Sequence, residues 1–293
     1  MLKKKIALSA LALTAVMMLG ACGGGGGGGS TGTSSASAGG GSSSDKELLV
    51  GLEATYAPFE FQENGEVVGF SPDVLKAIGE NQGLKMRFID TPWEGIFATL
   101  GTGDRDIISS SVTITDERKQ IVDFTDPYFE ATQMIVTLAD NQGIKSFADL
   151  KERTVSVQSS TTGDLIMQKL QGEQSTNIKR FDQMPLAMKE LLNGGVEAVV
   201  GDNGVIQNFV NNNPDVKLRT LVDDGFEKEF YGFAIRKGRD DDLLAKLNAG
   251  LAAIKADGTY DRIYAKWFNE VPSSGAPPAP AAVAPASAVS ATQ

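Results

Sequence analysis

The most informative stretch of this chain reads Ser109-Ser110-Ser111-Val112-Thr113-Ile114-Thr115-Asp116-Glu117-Arg118, with Val122-Asp123-Phe124-Thr125-Asp126-Pro127-Tyr128 close behind it. It follows the short apolar pair Ile107-Ile108, which predicts a buried strand that runs into a polar segment. Thr115 is placed to cap a helical turn that carries Arg118, because a threonine oxygen accepts from N–H groups of a first helical turn. A guanidinium fork next to several hydroxyls suits a carboxylate ligand.

Strand and helix patterns alternate on both sides of this stretch. Before it, strands are predicted at 48–52 and 86–89 and a helix at 72–82. After it, strands are predicted at 155–158, 178–181, 196–200, 218–222 and 231–236, and helices at 161–170, 185–193, 243–257 and 260–268. This alternation predicts an α/β fold with mainly parallel sheets. The polar clusters fall just after strand ends, where open α/β sheets bind ligands.

The composition excludes several kinds of function. The chain has 27 basic and 37 acidic residues, an acidic balance that favours solubility and argues against a nucleic-acid partner. It has no histidine, which removes the commonest general base and the commonest metal ligand. Its single cysteine, Cys22, excludes a disulfide within the chain and leaves no basis for a zinc site. We therefore expect no metal and no cofactor.

The two ends of the chain are predicted to lie outside the folded part. Residues 1–21 have a signal peptide's features, with Lys3, Lys4 and Lys5 before a short apolar run. Small residues before Cys22 resemble the lipobox of bacterial lipoproteins, which implies a lipidated cysteine that anchors the chain to a membrane. Residues 22–45 form a Gly/Ser-rich tether and residues 272–293 a Pro/Ala-rich disordered tail.

Several motifs resemble those of family 3 extracellular solute-binding proteins, the polar amino-acid receptors of ABC importers. The resemblance spans 48–272 and rests on the two stretches above and on Thr55-Tyr56-Ala57-Pro58-Phe59-Glu60, Val68-Gly69-Phe70, Gly258-Thr259-Tyr260-Asp261 and Lys266-Trp267-Phe268. It implies a two-lobe, periplasmic-binding-protein-like (type II) α/β fold, with a hinge of two crossover strands and a ligand cleft between the lobes. The first lobe would comprise 46–137 and 229–271 and the second 138–228, with crossover strands at 135–138 and 231–234.

The resemblance also implies how a zwitterion is held. Arg118, helped by Ser110, Ser111 and Thr113, would bind the α-carboxylate of an amino acid. From the other lobe, Thr161 and Thr162 lie at a helix N-terminus, whose free N–H groups suit an anion. Asp202 would face the α-ammonium. A ligand that bridges Arg118 and Asp202 would favour closure of the lobes.

The resemblance places Glu53, Tyr56 and Trp93 at the positions of the family's side-chain recognition residues, and Gln158 is added to this predicted side-chain pocket. Two aromatic faces and a carboxylate suit a cationic side chain, which indicates arginine, lysine or histidine as the cargo. Glutamine stays open as an alternative, because Gln158 suits an amide and because an acid also occurs at the Glu53 position in glutamine receptors.

The predicted function is therefore capture of a free amino acid for the permease of an ABC importer, without catalysis. The resemblance implies a monomer in the cell envelope, lipid-anchored in the periplasm or on the outer face of the cytoplasmic membrane. A periplasmic cyclohexadienyl-type dehydratase is the less favoured alternative, because this fold also carries such enzymes and Glu53 is a spare carboxylate in the cleft. That enzyme would need Glu53 as a general acid with a raised pKa.

Overall fold

The computed structural model describes residues 46–269 of the chain. The predicted signal peptide (1–21), Cys22 and the tether (22–45), the end of the first lobe (270–271) and the tail (272–293) lie outside the described residues. Within 46–269, no helix combines the length and the apolarity that crossing a membrane requires.

Fifteen short strands occur in the described part of the chain. They are β1 (Leu48–Leu52), β2 (Thr55–Tyr56), β3 (Glu60–Glu63), β4 (Glu66–Val68), β5 (Met86–Asp90), β6 (Ile107–Ile108), β7 (Val122–Phe124), β8 (Phe129–Ala131), β9 (Gln133–Leu138), β10 (Val155–Gln158), β11 (Ile178–Phe181), β12 (Ala198–Asp202), β13 (Leu218–Leu221), β14 (Glu229–Tyr231) and β15 (Ala234–Arg236). Strand β12 ends at Asp202, whereas the sequence analysis ended this strand two residues earlier.

Within residues 46–269, eight α-helices and a 3-10 helix at Phe147–Glu152 accompany these strands. The α-helices are α1 (Phe70–Gln82), α2 (Ala98–Thr102), α3 (Asp116–Ile121), α4 (Thr162–Gln171), α5 (Met184–Leu192), α6 (Asn203–Asn212), α7 (Leu243–Ala256) and α8 (Thr259–Phe268). The mixed order of helices and strands confirms the predicted α/β class.

Two five-stranded sheets carry the two lobes. In the first, with the order β5-β1-β6-β15-β7, β1 is parallel to β5 and β6, while β15 is antiparallel to β6 and β7. In the second, with the order β11-β10-β12-β9-β13, β10 is parallel to β11 and β12, while β9 is antiparallel to β12 and β13. The carboxyl ends of the parallel strands therefore supply one edge of each sheet, where ligands bind in such folds.

The connection between the sheets differs from the prediction. Residues 135–138, predicted as a crossover strand, lie in β9 and pair with β12 and β13 inside the second sheet. The two crossings are instead β8 and β14, which pair antiparallel in a two-stranded sheet of their own. The predicted single strand 231–236 is divided into β14 and β15. We therefore propose that the first lobe boundary lies near residue 132 and not at 137.

Aromatic packing joins the two lobes beside this hinge. The Phe59 ring lies with its centroid 4.8 Å from that of Phe129 and 5.3 Å from that of Tyr231. Helix α6 of the second lobe approaches the same ring so closely that a Cβ on Gly204 would lie 2.7 Å from it. Only glycine fits there without displacing the ring. The hinge region is thus a packed core, which holds the crossing strands in register.

Candidate functional site

One cavity between the two sheets is lined by all the side chains that the sequence analysis selected. Its lining residues are Glu53, Tyr56, Trp93, Ser110, Ser111, Thr113, Arg118, Gln158, Thr161, Thr162 and Asp202. Most of them come from the ends of β1, β6, β10 and β12 and from the first turns of α3 and α4, while Tyr56 belongs to β2 and Trp93 lies between β5 and α2. The structure therefore brings the predicted set together, while the role of each member in binding stays a prediction.

Arg118 supplies the positive charge of the cavity, and its surroundings hold it in place. Its backbone N–H donates to the capping Thr115 Oγ1 over 3.1 Å, as the sequence pattern predicted. Nη1 donates to the carbonyl of Thr113 over 2.9 Å, and the guanidinium lies 5.2 Å from the Trp93 ring centroid and 5.6 Å from that of Phe97. Burial lowers the pKa of Arg118, and the nearby carboxylates oppose that effect. A guanidinium fixed in this way is ready for a carboxylate without further ordering.

Asp202 supplies a facing negative charge from the other lobe. It is the last residue of β12 and is buried. Gln133 Nε2 donates to its Oδ1 over 2.7 Å, and the Tyr231 hydroxyl donates to its Oδ2. Burial raises the pKa of Asp202, while hydrogen bonds from Tyr231, Gln133 and Tyr56 and the charge of Arg118 lower it. This network fixes the carboxylate in one orientation.

A second acid, Glu229, which is not among the predicted site residues, lies beside this network. Its Oε1 accepts from Gln133 Nε2 over 2.9 Å, and its Oε2 accepts from the hydroxyls of Thr113 and Thr162, each over 2.8 Å. Burial and the charge of Asp202 both raise the pKa of Glu229. Glu229 and Tyr231 are two residues apart in β14 and therefore lie on the same face of that strand. This spacing is the only local signal in the sequence that links Glu229 to the site.

The distal end of the cavity is an acid–amide pair. The Gln158 Nε2 donates to Glu53 Oε2 over 2.7 Å and to the Asp182 carbonyl over 3.0 Å. The backbone N–H of Glu53 donates to Ser110 Oγ over 3.0 Å. Burial raises the pKa of Glu53 from 4.5 to about 7, even though the Gln158 hydrogen bond lowers it. The charge of this end of the cavity therefore changes near neutral pH.

The N-terminus of α4 faces the cavity from the second lobe. Thr161 caps the helix, because its Oγ1 accepts from the backbone N–H of Asp164 over 3.3 Å and donates to the Gln158 carbonyl over 2.8 Å. Thr162 and Gly163 follow in the first turn, where backbone N–H groups have no partner within a helix. The first turn thus offers donors and a partial positive charge to an anion in the cavity.

Hydrogen bonds between the lobes close the cavity. The indole N–H of Trp93 donates to the Ser159 carbonyl over 3.1 Å, and Arg118 Nη2 donates to the Ser160 carbonyl over 3.3 Å. Ser111 and Ser160, on opposite sides of the cleft, both adopt a left-handed backbone conformation, with φ of 46° and 59°. Such a conformation is unfavourable for a non-glycine residue, so the surrounding contacts must hold it.

These features define a class of protein: a two-lobed, periplasmic-binding-protein-like chain with a charged cavity between its lobes. The chain belongs to the bacterial extracellular solute-binding proteins, family 3, whose sequence profile matches residues 48–270. It is 42% identical over 221 residues to a probable histidine-binding protein of Neisseria gonorrhoeae, a match that covers 75% of this chain and 82% of that protein.

Solved structures of similar proteins agree with this assignment. The arginine-, lysine-, histidine-binding protein ArtJ of Geobacillus stearothermophilus is 42% identical, with a TM-score of 0.74 over 78% of this chain and 97% of that one. An ancestral arginine-binding protein is 44% identical and covers 76% of this chain and 98% of its own. It was solved with arginine and with glutamine, at TM-scores of 0.72 and 0.71.

Proposed function

We propose that this chain is the substrate-binding lipoprotein of an ABC amino-acid importer and that it captures a cationic L-amino acid by closing its lobes. The observation that carries the proposal is the placement of Arg118 and Asp202, from different lobes, in the lining of one cavity. A zwitterion that bridges them interacts better with the closed state than with the open one, which is the condition for ligand-driven closure.

The α-carboxylate is assigned to Arg118 and to the first turn of α4. A guanidinium fork and helix N-terminal N–H groups are complementary to a carboxylate. The α-ammonium is assigned to Asp202, whose carboxylate is oriented by Gln133 and Tyr231. Family membership supports the same assignments.

The charge balance of the cavity favours a cationic cargo. Asp202 and Glu53 in the lining, with Glu229 behind it, stand against a single lining arginine, so a positively charged ligand offsets acidic charge that a neutral one leaves uncompensated. Glu53, hydrogen-bonded to Gln158, lies at the end where the ligand side chain would reach. Relatives that bind arginine, lysine or histidine support this choice.

Glutamine is the second candidate cargo. Gln158 lies at the distal end of the cavity, and the similar ancestral arginine-binding protein was also solved with glutamine. Glu53 supports this candidate when it is protonated, because a neutral carboxyl group donates to an amide oxygen.

The proposal includes a place in the cell envelope. Lipidation at Cys22 would hold the receptor at a membrane surface, in the periplasm or on the outer face of the cytoplasmic membrane, where it delivers the amino acid to the importer's permease as a monomer. The test is metabolic labelling with palmitate. The intact chain should incorporate the label and pellet with membranes, whereas Cys22→Ser should lose the label. Equal labelling of both would overturn the anchor.

The ligand is tested by a thermal-shift screen of the soluble chain from Lys46 against the twenty amino acids, after unfolding and refolding to remove bound cargo. A ligand present at a thousandfold excess over its Kd adds about 4 kcal/mol to stability. A large shift with arginine, lysine or histidine is expected, and a shift with glutamine alone would select the second candidate. If no amino acid shifts the melting temperature, the receptor function is wrong and a dehydratase assay follows.

A further inference from the structure

One carboxylate oxygen accepts hydrogen bonds from two cavity hydroxyls that belong to different lobes. Glu229 Oε2 accepts one hydrogen bond from the hydroxyl of Thr113, which follows β6 of the first sheet. It accepts another from the hydroxyl of Thr162, which begins α4 beside the second sheet. Both distances are 2.8 Å. Glu229 itself is not part of the cavity lining, so it acts on the cavity through its hydrogen-bond partners, of which these two threonines belong to the lining.

The number of hydrogens fixes the polarity of both hydroxyls. A threonine hydroxyl carries one hydrogen and two lone pairs, and an ionised carboxylate only accepts. While Glu229 is ionised, the hydroxyls of Thr113 and Thr162 donate their hydrogens to it. They then present only lone pairs to the cavity. Neither hydroxyl is then able to donate to the α-carboxylate of a ligand.

Gln133 holds this arrangement in place. Its Nε2 lies within hydrogen-bond distance of three acceptors, Asp202 Oδ1 at 2.7 Å, Glu229 Oε1 at 2.9 Å and Thr162 Oγ1 at 3.1 Å, which share its two hydrogens. An amide nitrogen placed among three acceptors keeps two acids apart and oriented. The wall formed by Asp202, Thr113 and Thr162 therefore presents acceptors, and such a wall is complementary to an ammonium group.

We propose, building on the proposed function, that Glu229 is a positioning residue for the α-ammonium of the ligand. It acts through Thr113 and Thr162, whose lone pairs it turns toward the ammonium that Asp202 binds. The α-carboxylate is left to Arg118 and to backbone N–H groups. Loss of the Glu229 charge should therefore weaken recognition of the amino group and leave recognition of the rest of the ligand intact.

The experiment compares an amino acid with its counterpart that lacks the α-amino group, by titration calorimetry at pH 8. The pairs are arginine with 5-guanidinopentanoate, and glutamine with glutaramate. Glu229→Gln keeps the size of the side chain. It should weaken arginine about tenfold, the scale of one hydrogen bond to a charged group, and change 5-guanidinopentanoate by less than about twofold. Glu227→Gln, which removes the same charge from an exposed position two residues earlier, should change neither.

A second variant separates positioning from general damage to the fold. Thr113→Val removes one hydroxyl at nearly constant size. It should lower the ratio of the affinity for the amino acid to the affinity for its counterpart without the α-amino group. In a Thr113→Val background, Glu229→Gln should weaken amino-acid binding by a smaller factor than it does alone. Equal weakening of both ligands of a pair, or full additivity, would overturn the inference while leaving the receptor function in place. If the unaltered chain binds neither amino acid, the proposed function fails, and this role of Glu229 fails with it.

Discussion

The side-chain amide of Gln158 donates to the carboxylate of Glu53 over 2.7 Å, although the two residues lie 105 positions apart in the chain. Glu53 follows β1 of the first sheet, and Gln158 ends β10 of the second. The hydrogen bond occupies Oε2 of Glu53. The distal end of the cavity is thus shared between the lobes, and its charge depends on the proton of Glu53.

Replacing Glu53 with glutamine should separate cationic from neutral cargo. The substitution removes the distal anion but keeps the side chain's length, so arginine should lose about 30-fold or more in affinity, while glutamine should change by less than about fivefold. Titration calorimetry at pH 8 measures both. Glu94→Gln, an exposed position next to Trp93, is the control for a general loss of negative charge. Equal losses for the two ligands would contradict the role of Glu53 as the distal anion.

The same residue should make the stability of the ligand-free chain depend on pH. The pKa of Glu53 is raised from 4.5 to about 7, so between these values the folded chain holds a proton that the unfolded chain releases. This contribution is therefore complete below about pH 4.5 and is lost as the pH rises through 7. Relative to Glu53→Gln, the free energy of unfolding should fall by at most about 3 kcal/mol between pH 4.5 and 8. Urea titrations of both chains measure it, and parallel curves would refute the raised pKa.

The cavity lining could be predicted because the family resemblance pointed to its members and because most of them stand at a recognisable element end. Thr115 caps α3 and thereby fixes Arg118, and Thr161 caps α4. Polar residues at the ends of parallel strands meet at a sheet edge once the strands pair. When the strand ends meet at this edge, the side chains that follow them line one cavity.

Glu229 and Gln133 were missed for a physical reason. Each begins a strand at the hinge, and β14 is only three residues long and pairs with β8 alone. Such a strand has too few residues to show a periodic pattern. The crossover strand was wrongly predicted at 135–138 for a related reason. A strand buried on both faces is a continuous apolar run in the sequence, whether it lies inside a sheet or crosses between the lobes.

Removal of the Arg118 side chain should abolish tight binding. Arg118→Ala leaves the α-carboxylate with neutral donors only and places an uncompensated anion against Asp202 and Glu229, so the affinity should fall by about 100-fold or more. Calorimetry with arginine measures the loss. The far-UV circular dichroism and the melting temperature of the variant must be recorded as well, because the buried guanidinium also packs on Trp93.

Two further variants interpret that result. Arg118→Lys keeps the charge but loses the planar fork, and it should recover only part of the affinity. Arg236→Ala removes an exposed arginine of β15 and should bind normally. Full affinity in Arg118→Ala would show that the carboxylate lies elsewhere.

Replacing Trp93 with phenylalanine should act on the lifetime of the complex. Phenylalanine keeps an aromatic ring against Arg118 but removes the indole N–H that donates to the Ser159 carbonyl across the cleft. Because that hydrogen bond joins the two lobes, its loss should destabilise the closed complex more than the encounter with ligand. The dissociation rate of arginine should rise about three- to tenfold, while the association rate stays within about twofold. Surface plasmon resonance on the captured chain measures both rates.

The chain contains its own matched control for this prediction, since its second tryptophan also donates through the indole N–H. Trp267 Nε1 donates to Asp73 Oδ2 over 2.9 Å, from α8 to α1 of the same lobe. Trp267→Phe therefore removes a comparable hydrogen bond that does not cross the cleft, and both rates should stay unchanged. It also leaves Trp93 as the only tryptophan, so that its fluorescence reports closure directly. If Trp93→Phe slows association as much as it speeds dissociation, the bond is already formed in the encounter state, and the lobes close before the ligand is bound.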